Sequence, residues 1–538
     1  MPEISRNDLF RKLILSWILV SLFMPGQPAL AQHNGDPLLF QGSSDRYSVG
    51  VKGSAYGNAF VSRSNDLNSI FYNAAGLAGI SSIQASVSSQ YRDYLIRDNQ
   101  YVTPTPTLSS GGYTGINLYL GRVLIPDPAW NNIWSDSLKT IWYDSLGRPI
   151  GTNWWDPNKL LTPPQDQSDY SEDAAANQKK NSSYALEHVA LAIPFEFMGR
   201  QLVAAASYSR QYDDYSYDWN GKHLSPHWGM VAGDVGAVQD TVKNDIVRSN
   251  WSVFTRERSG GVYSITGALA FKLDDRIQVG AKFNYLMGQS VDSQDLQRIG
   301  YFRFKNGIGN SSWSFSYDTN DSLVTGSSKF RGTSFNIGAT YNSKNFSLGL
   351  NVQLPYQIER DWSYSTQVST LDSAKKPSVV SSAITGRDQI SLPAIYTAGI
   401  TIKTENGFTL SFDYRYNPLS TATYRLSSVP DSLFTKYQQW VDQATMRLGL
   451  EYTIDDNVSL MGGYQVQGAP FIGYAVADKD QGAPIDTYSC GVSVNAMHGR
   501  FDVSYVYSQL KYYDVYMSNR NFTLERSQAV LFGYTYMF

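Results

Sequence analysis

The sequence predicts an all-β protein: an antiparallel transmembrane β-barrel of about fourteen strands, with an N-terminal plug (hatch) segment inside the lumen. Three observations lead to this prediction. Apolar and polar residues alternate along many segments, short and long connections follow each other in turn, and Gly and Tyr are abundant, with 43 and 38 residues among 538. Only every second residue of a barrel strand faces lipid, so such a chain need not be strongly apolar overall.

The alternation is clearest at 276–287. Apolar residues occupy the odd positions from Ile277 to Tyr285, and polar or small residues occupy the even positions from Gln278 to Asn284. A period of two gives a strand one apolar and one polar face. The same kind of pattern places strands at 81–91, 184–196, 200–211, 260–274, 276–288, 332–343, 346–358, 394–404, 408–417, 442–454, 457–467, 484–496, 500–512 and 526–538.

The connections between these segments alternate in length. Short polar turns fall at 198–199, 274–275, 343–345, 405–407, 455–457 and 498–499. Long loops fall at 92–183, 212–259, 289–331, 359–393, 418–441, 468–483 and 513–525. Bacterial outer-membrane barrels have short periplasmic turns and longer extracellular loops. We therefore expect a barrel domain at 81–538 in the bacterial outer membrane, surrounded by its lipids, with the long loops outside the cell.

The two ends of the chain carry targeting patterns. A basic region that ends at Lys12 precedes an apolar run at 13–23, and Ala29-Leu30-Ala31 has the small-residue pattern of a cleavage site. We therefore expect a signal peptide at 1–31. At the other end, aromatic residues recur at every second position up to Phe538. This last strand looks like the signal read by the outer-membrane insertion machinery, which makes that machinery an expected partner through Phe538.

A short helix is predicted between the signal peptide and the first strand. Asn65 and Asp66 are good helix N-caps, since a short side-chain acceptor satisfies N–H groups of the first turn. The apolar residues that follow, Leu67, Ile70 and Phe71, have helical spacing. Upstream, the stretch 53–60 is rich in Gly and small residues, which lets its backbone lie close to a neighbouring surface.

This part of the chain resembles the N-terminal segment of the FadL-like outer-membrane transporters, the long-chain fatty-acid and aromatic-hydrocarbon channels. That family has a pattern of roughly Gly-x-x-x-Gly-Gly-Ala-Phe, an acidic turn, and Asn-Pro-Ala-Gly-Leu. In this sequence Asn58 replaces the second Gly of the family's Gly-Gly pair, and Ala74 replaces its Pro. The residues that match this plug motif are Gly53, Gly57, Asp66, Asn73, Gly76 and Leu77.

The resemblance implies a function and a plug at 32–80. FadL-like proteins are passive uptake channels for hydrophobic small molecules, with long-chain fatty acids as the prototype. Their ligand leaves through a plug shift or a sideways opening in the wall. Glycines such as Gly53, Gly57 and Gly76 permit backbone movement, which suits a movable plug. Some FadL-like barrels instead act as non-conducting, partner-binding subunits of a protein secretion system, as the PorV-type component does, and this alternative stays open.

Charged residues predicted to face the lumen are the candidate ligand-binding groups. Lys282, Arg415 and Arg447 are the cations that we expect to meet a ligand carboxylate. The alternative is an ion-pair network that holds the plug, because buried charges are normally paired. Local pairs of Arg415 with Asp413 and of Arg447 with Glu451 would favour that alternative. Other charges predicted on the lumen face are Lys272, Lys403, Asp413, Glu451 and Asp502.

No catalytic or metal-binding pattern is found in the sequence. The five histidines include one spaced pair, His223 and His227, but Pro226 argues against a helix there and no third ligand is evident. The single cysteine, Cys490, alternates with apolar residues and is predicted to face lipid. A net charge of −3 gives no support for nucleic-acid binding. The chain is therefore predicted not to be an enzyme and to need no cofactor.

Overall fold

The computed structural model describes most of the chain after residue 48. The described residues are 49–102, 134–135, 140–141, 177–213, 216–228, 245–306, 311–317, 321–371, 377–425, 427, 441–455, 457–469, 484–496, 498–516 and 519–538. The predicted signal peptide at 1–31 lies outside these residues, as does the first part of the predicted plug. Within the described residues, no helix combines the length and the apolar character needed to cross a bilayer.

Fourteen strands form the wall of one closed antiparallel barrel. They are β1 (Gln84–Val102), β2 (Asn177–Phe197), β3 (Arg200–Asp213), β4 (Asp245–Lys272), β5 (Ile277–Asn306), β6 (Asp321–Asn342), β7 (Phe346–Gln353 and Tyr356–Leu371), β8 (Pro377–Leu392 and Ile395–Lys403), β9 (Phe408–Asn417), β10 (Gln443–Thr453), β11 (Val458–Gly468), β12 (Pro484–Ala496), β13 (Gly499–Tyr516) and β14 (Asn519–Met537). Each strand pairs with the next, and β14 pairs with β1 to close the ring. The predicted fold class is confirmed.

The remaining elements are short. Small strands lie at Trp134–Ser135, Thr140–Ile141, Ser216–Trp228, Ser311–Tyr317 and Thr423–Arg425. Helix α1 (Val51–Ala55) and helix α2 (Ser69–Tyr72) precede the barrel, together with a 3₁₀ turn at Ala74–Gly79, and another 3₁₀ turn lies at Leu419–Thr421. Helix α2 begins at Ser69, later than the predicted caps at Asn65 and Asp66, although the Asp66 carboxylate accepts the Asn68 amide as an N-cap does.

Several strands continue into segments that we predicted as loops. Strand β5 is 30 residues long and runs well into the predicted loop 289–331, whereas β9 has 10 residues. The wall is therefore tall at β4 to β8 and low at β9 to β12. The extensions lack a regular apolar face, so their sequence does not alternate. They form strands because each one pairs with a neighbouring strand of similar length.

The two faces of the wall differ in polarity as predicted. On β5 the Phe283 side chain is 49% exposed on the outer face, while its neighbours Lys282 and Asn284 are 8% and 7% exposed on the inner face. Cys490 lies exposed on the outer face of β12. Exposed aromatic side chains lie along the outer face near the short turns and again farther along the strands, as expected where a barrel crosses the two membrane interfaces. They include Phe197, Phe346, Phe408, Phe501 and Tyr536, and then Tyr91, Tyr184, Tyr285, Tyr396 and Tyr488.

Residues 49–80 lie within the ring of strands, and we call them the inner segment. Their large apolar side chains are buried, with Phe60, Ile70 and Leu77 at 0% exposure. The segment contacts the inner faces of strands from β2 to β14. It fills the part of the lumen closest to the short turns and leaves open space on its other side, towards the ends of the strands joined by the long connections.

Candidate functional site

Glycines on the inner face of the wall allow the inner segment to lie against the strands. A side chain placed at any of them would overlap the segment; at Gly463 a Cβ atom would lie 2.0 Å from the backbone nitrogen of Gly57. We call this set the glycine belt: Gly280, Gly338, Gly349, Gly449, Gly463, Gly491 and Gly533, on β5, β6, β7, β10, β11, β12 and β14. Because these inner-face residues are glycines, backbone packs directly on backbone at Gly280, Gly349 and Gly463, and side chains of the inner segment fit against others of the set.

The opposite side of the inner segment rests on small apolar residues. Leu67, Ile70 and Leu77 pack there against alanines of β2, β3 and β4, among them Ala192 and Ala270, which are 0% exposed. Burial of apolar side chains is favourable by about 25 cal/mol per Å². The segment is therefore held by close backbone contact on one side and by apolar burial on the other.

The plug-motif glycines lie in close contacts that larger residues would prevent. Gly57 has a φ of +63°, and a Cβ atom there would lie 2.5 Å from the carbonyl oxygen of Leu448. The added atom at Gly76 would lie 2.3 Å from the Arg63 carbonyl oxygen, and at Gly53 it would lie 2.4 Å from the Tyr72 hydroxyl. The hypothesis that these glycines serve movement stays a prediction, but each has a packing role.

Asn73 joins the inner segment to the wall. Its side chain is fully buried, and its Nδ2 donates to the carbonyl oxygen of Val61 at 2.9 Å and to those of Ala339 and Leu350 at 3.2 Å. Its Oδ1 accepts the Ala75 amide, which caps the following 3₁₀ turn. An amide side chain supplies donor and acceptor together, which accounts for asparagine at this position of the motif.

Ion pairs also join the inner segment to the wall. Glu451 on β10 binds Lys52 at 3.1 Å and also binds Arg63. Arg500 on β13 binds Asp66 at 2.7 Å and Asp502 at 2.9 Å. Burial opposes ionisation of Asp66, but Arg500 and Lys52 outweigh it and hold the pKa of Asp66 below its usual value.

One predicted ion pair is wrong. Glu451 reaches the inner segment and does not pair with Arg447, whose Nε donates to Gln465 at 3.0 Å. Four residues of strand span about 13 Å, which is too far for side chains that point the same way. Two other predicted lumen charges, Lys272 and Lys403, are the last residues of β4 and β8, and Lys403 is exposed.

A cavity lies directly against the inner segment, on the side away from the short turns. It encloses about 120 Å³, enough for several water molecules. Lys282, Arg415 and Arg447, the three cations predicted to meet a ligand, all line it. None of the described lining residues is Asp or Glu. The other lining residues are Val49, Asn58, Val61, Phe71, Tyr72, Gln211, Asn284, Leu286, Ser334, Asn336, Asn351, Gln353, Ile395, Thr397 and Gln465.

The cations approach the cavity from two sides. Lys282 on β5 donates to the carbonyl oxygens of Ile70 and Phe71 at 2.9 and 3.0 Å. Arg415 and Arg447 lie on the adjacent strands β9 and β10. In the register of these strands Arg447 is opposite Asp413, and Arg415 lies two residues farther along β9. Asp413 is buried, and its Oδ2 accepts the Val61 amide at 2.9 Å.

An apolar cluster continues from the cavity along the tall wall, and we call it the apolar stripe. Leu286 belongs to both, since it lines the cavity and packs in the cluster. The stripe lies on the lumen side of the wall, where apolar residues are unusual for a barrel with a polar interior, and its cluster residues are 2–7% exposed. It consists of Val262, Leu286, Phe330, Tyr356, Ile358 and Ile390, with Leu392 packed beside them.

Beyond the apolar stripe, buried charges form what we call the charged layer. Arg258 donates to Asp292 at 2.7 Å, and Arg360 donates to Asp388 at 2.6 Å. Asp292 also accepts hydrogen bonds from the hydroxyl groups of Ser290, Ser328 and Tyr364. Each carboxylate of this layer is thus matched by a guanidinium and by neutral donors.

A second buried polar cluster was not predicted from the sequence. Glu187 is an extra residue in β2 that shifts the β1–β2 register, and its Oε1 accepts the Gly50 amide at 2.6 Å. The neighbouring His188 lies 3.0 Å from the Ser86 hydroxyl through Nε2. A bulge depends on strand pairing, so a single strand does not reveal it. Among the described residues, no three His, Cys, Asp or Glu side chains are grouped to hold a metal.

The comparisons with known proteins agree with this architecture. Residues 252–480 match the family described as outer membrane protein transport protein (OMPP1/FadL/TodX). A FadL homologue from Pseudomonas aeruginosa is 13% identical, with a TM-score of 0.54, covering 91% of this chain and 98% of that one. The P. putida toluene transporter TodX is 10% identical, with a TM-score of 0.49, covering 90% and 97%. No curated protein has a matching sequence.

Residues 252–480 thus resemble transport proteins of the bacterial outer membrane. The likeness to the FadL homologue extends the same barrel fold over nearly the whole chain. The predicted family resemblance and location are confirmed. Since the family is one of transport channels, the prediction that the chain is not an enzyme is also confirmed.

Proposed function

We propose that the protein, an outer membrane β-barrel similar to the FadL/TodX channels, takes up hydrophobic molecules that carry an acid group, such as long-chain fatty acids. The observation that supports this proposal is that Lys282, Arg415 and Arg447 line one cavity beside the apolar stripe. Guanidinium and ammonium groups form strong, charge-assisted hydrogen bonds with a carboxylate. A neutral hydrocarbon would gain nothing from them.

The ligand would lie with its acid group in the cavity and its chain along the apolar stripe. Leu286, which belongs to both, marks the point where head and chain would meet. Burying each CH₂ group of the chain contributes about 0.8 kcal/mol. The proposed plug at 32–80 would close the lumen below the ligand, and its described part, the inner segment, is in position to do so. The proposed binding residues thus remain Lys282, Arg415 and Arg447.

Uptake in cells tests this proposal. The protein would be produced in a bacterium that lacks its own fatty-acid channel, and uptake of labelled oleate and of toluene would be compared. We expect oleate uptake, and a fall of about tenfold in its apparent affinity for Arg447→Gln, since one charge-assisted hydrogen bond is worth about 1.5 kcal/mol or more. Lys272→Gln, which removes a cation outside the described cavity lining, is the matched control. Toluene uptake without oleate uptake would refute the proposal.

The alternative is a partner-binding subunit of a secretion system. One observation favours it: at the tip of the tall wall, residues 378–385 of β8 are exposed on both faces, with Val379 and Val380 58% and 61% exposed. Exposed apolar groups of this kind are typical of protein contacts. Cross-linking in intact cells from a photoreactive residue at position 380 would capture a protein partner under this alternative and none under the uptake proposal.

A further inference from the structure

We infer that the head group that fits the cavity best is a phosphate monoester, a dianion with three terminal oxygens, which binds more tightly than a carboxylate. The inference rests on the proposed function, in which an amphiphilic anion enters this cavity. It concerns the kind of acid that fits best. The geometry points to it because positive groups reach the cavity from two separate sides of the wall.

The three cations that line the cavity come from two parts of the wall that are far apart. Lys282 is on β5, and Arg415 and Arg447 are on β9 and β10, four and five strands away. Adjacent strands are about 4.8 Å apart, so the two groups face each other across the cavity instead of lying side by side. The two oxygens of a carboxylate satisfy one side. A phosphate presents oxygens to both sides at once.

Lys282 is a buried cation held by neutral hydrogen-bond acceptors. Its ammonium group is buried, and the two acceptors that hold it are backbone carbonyl oxygens of the inner segment. An ammonium group has three donors, so one remains for a ligand. A buried cation that meets only neutral acceptors is unfavourable. A second negative charge on the ligand would compensate it, and a monoanion already bound to the arginines would not.

The remaining polar side chains that the structure describes along the cavity are uncharged. Amide side chains surround the cavity, and none of its described lining residues carries a negative charge. Arg447 is held by the amide oxygen of Gln465 at 3.0 Å, and the nitrogen of that amide, which donates to Gln467 at 3.4 Å, keeps a second donor. Asn284 likewise donates to Ser334 and Asn336, so the lining is a connected set of neutral donors and acceptors. Such a lining suits a strongly hydrated head with many oxygens better than it suits a simple fatty acid.

Four ligands with the same chain test the inference: dodecyl phosphate, methyl dodecyl phosphate, dodecanoate and dodecanol. Each would be titrated at pH 7.5 into the full mature protein in lipid nanodiscs and followed by calorimetry. Dodecyl phosphate carries nearly two charges at this pH and the methyl diester carries one. We expect dodecyl phosphate to bind at least about tenfold more tightly than the diester or dodecanoate. Dodecanol should bind most weakly.

The outcomes separate the inference from the proposed function. Dodecanoate binding as tightly as dodecyl phosphate would overturn the inference and leave the uptake of acids standing. Equal binding of dodecanol and both acids would overturn the two together. Lys282→Met should weaken binding of the monoester far more than binding of the diester and so remove the preference between them, and Lys272→Met is its matched control. The comparison of ligands on the unmodified protein decides the inference even if the Lys282 variant does not fold.

Discussion

The charged layer and the cavity contain the same residue types on the same inner face, but their charges meet different partners. In the charged layer, Arg258 and Arg360 each bind a buried carboxylate. In the cavity, Lys282 binds two carbonyl oxygens, and Arg447 binds an amide oxygen and lies opposite Asp413 of β9. The first arrangement is complete within the protein. The second keeps positive charge beside open space, which is what a site for an anion requires.

The comparison teaches that a buried charge in this lumen has a structural or a ligand-binding role according to its counter-charge. Removing one partner of a closed pair leaves the other buried and uncompensated, so it should affect folding. Removing a cation of the cavity relieves an unfavourable burial, so it should affect binding and leave folding nearly unchanged. Each prediction below tests one side of this distinction.

The largest effect is expected in the charged layer. Asp292→Asn would leave Arg258 buried beside a neutral amide, and we expect the free energy of unfolding to fall by about 3–5 kcal/mol. Urea titration of the protein folded into vesicles measures this change. Asp361→Asn, which removes the half-buried carboxylate that binds the exposed Arg331 and Arg387 on the outer face, is the control and should change stability by less than about 1 kcal/mol. Equal effects of the two substitutions would break the comparison.

The glycine belt gives the next effect in size. In Gly463→Ala the new methyl group would overlap the Gly57 backbone, which has no side chain to move aside. We expect a loss of about 1–3 kcal/mol and faster proteolysis within residues 49–80. Gly462→Ala is the matched control, because nothing lies within 4 Å of a Cβ atom at the adjacent position. An inner segment that stays protected in both variants would show that the belt does not fix it.

The cavity should respond in binding and not in folding. Arg447→Gln keeps a polar side chain of similar reach to Gln465, so we expect unfolding within about 1 kcal/mol of the unmodified protein. Dodecanoate binding should weaken by about tenfold in the same calorimetric assay. A variant that unfolds early and binds normally would assign Arg447 to the structural group.

The smallest effect is expected from the change of stability with pH that the ion pair between Asp66 and Arg500 causes. The pKa of Asp66 in the folded protein is lower than in the unfolded chain, so its ion pair with Arg500 stabilises the fold above pH 4. That stabilisation is lost as the pH falls through the folded-state pKa. Urea titrations at pH 7 and pH 3 should therefore differ less for Asp66→Asn than for the unmodified protein. An identical difference in both would contradict this assignment.

The sequence determines the wall better than the space inside it. All fourteen strands could be located because a wall between lipid and lumen needs a residue period of two. The extension of β5 to Asn306 could not be predicted, because above the membrane neither face of a strand must be apolar. The bulge at Glu187 depends on a neighbouring strand and was missed for the same kind of reason.

The sequence predicts on which face of the wall each site residue lies, but it does not predict which residues they contact. The alternation put Lys282, Arg415 and Arg447 on the inner face, but only closure of the ring brings β5 opposite β9 and β10. The role of Gly463 was also hidden, since a glycine on the inner face looks like any other small residue until the inner segment lies against it. The pairing of Glu451 with the inner segment has no signal along β10 alone.

A structure of the protein with a bromine-labelled fatty acid tests the central claim most directly. We expect the acid group within hydrogen-bond distance of Lys282, Arg415 or Arg447, and the bromine on the chain beside Leu286 and Phe330 of the apolar stripe. Bromine density only on the outer face of the wall, with the cavity filled by water, would contradict the claim that this cavity receives the ligand.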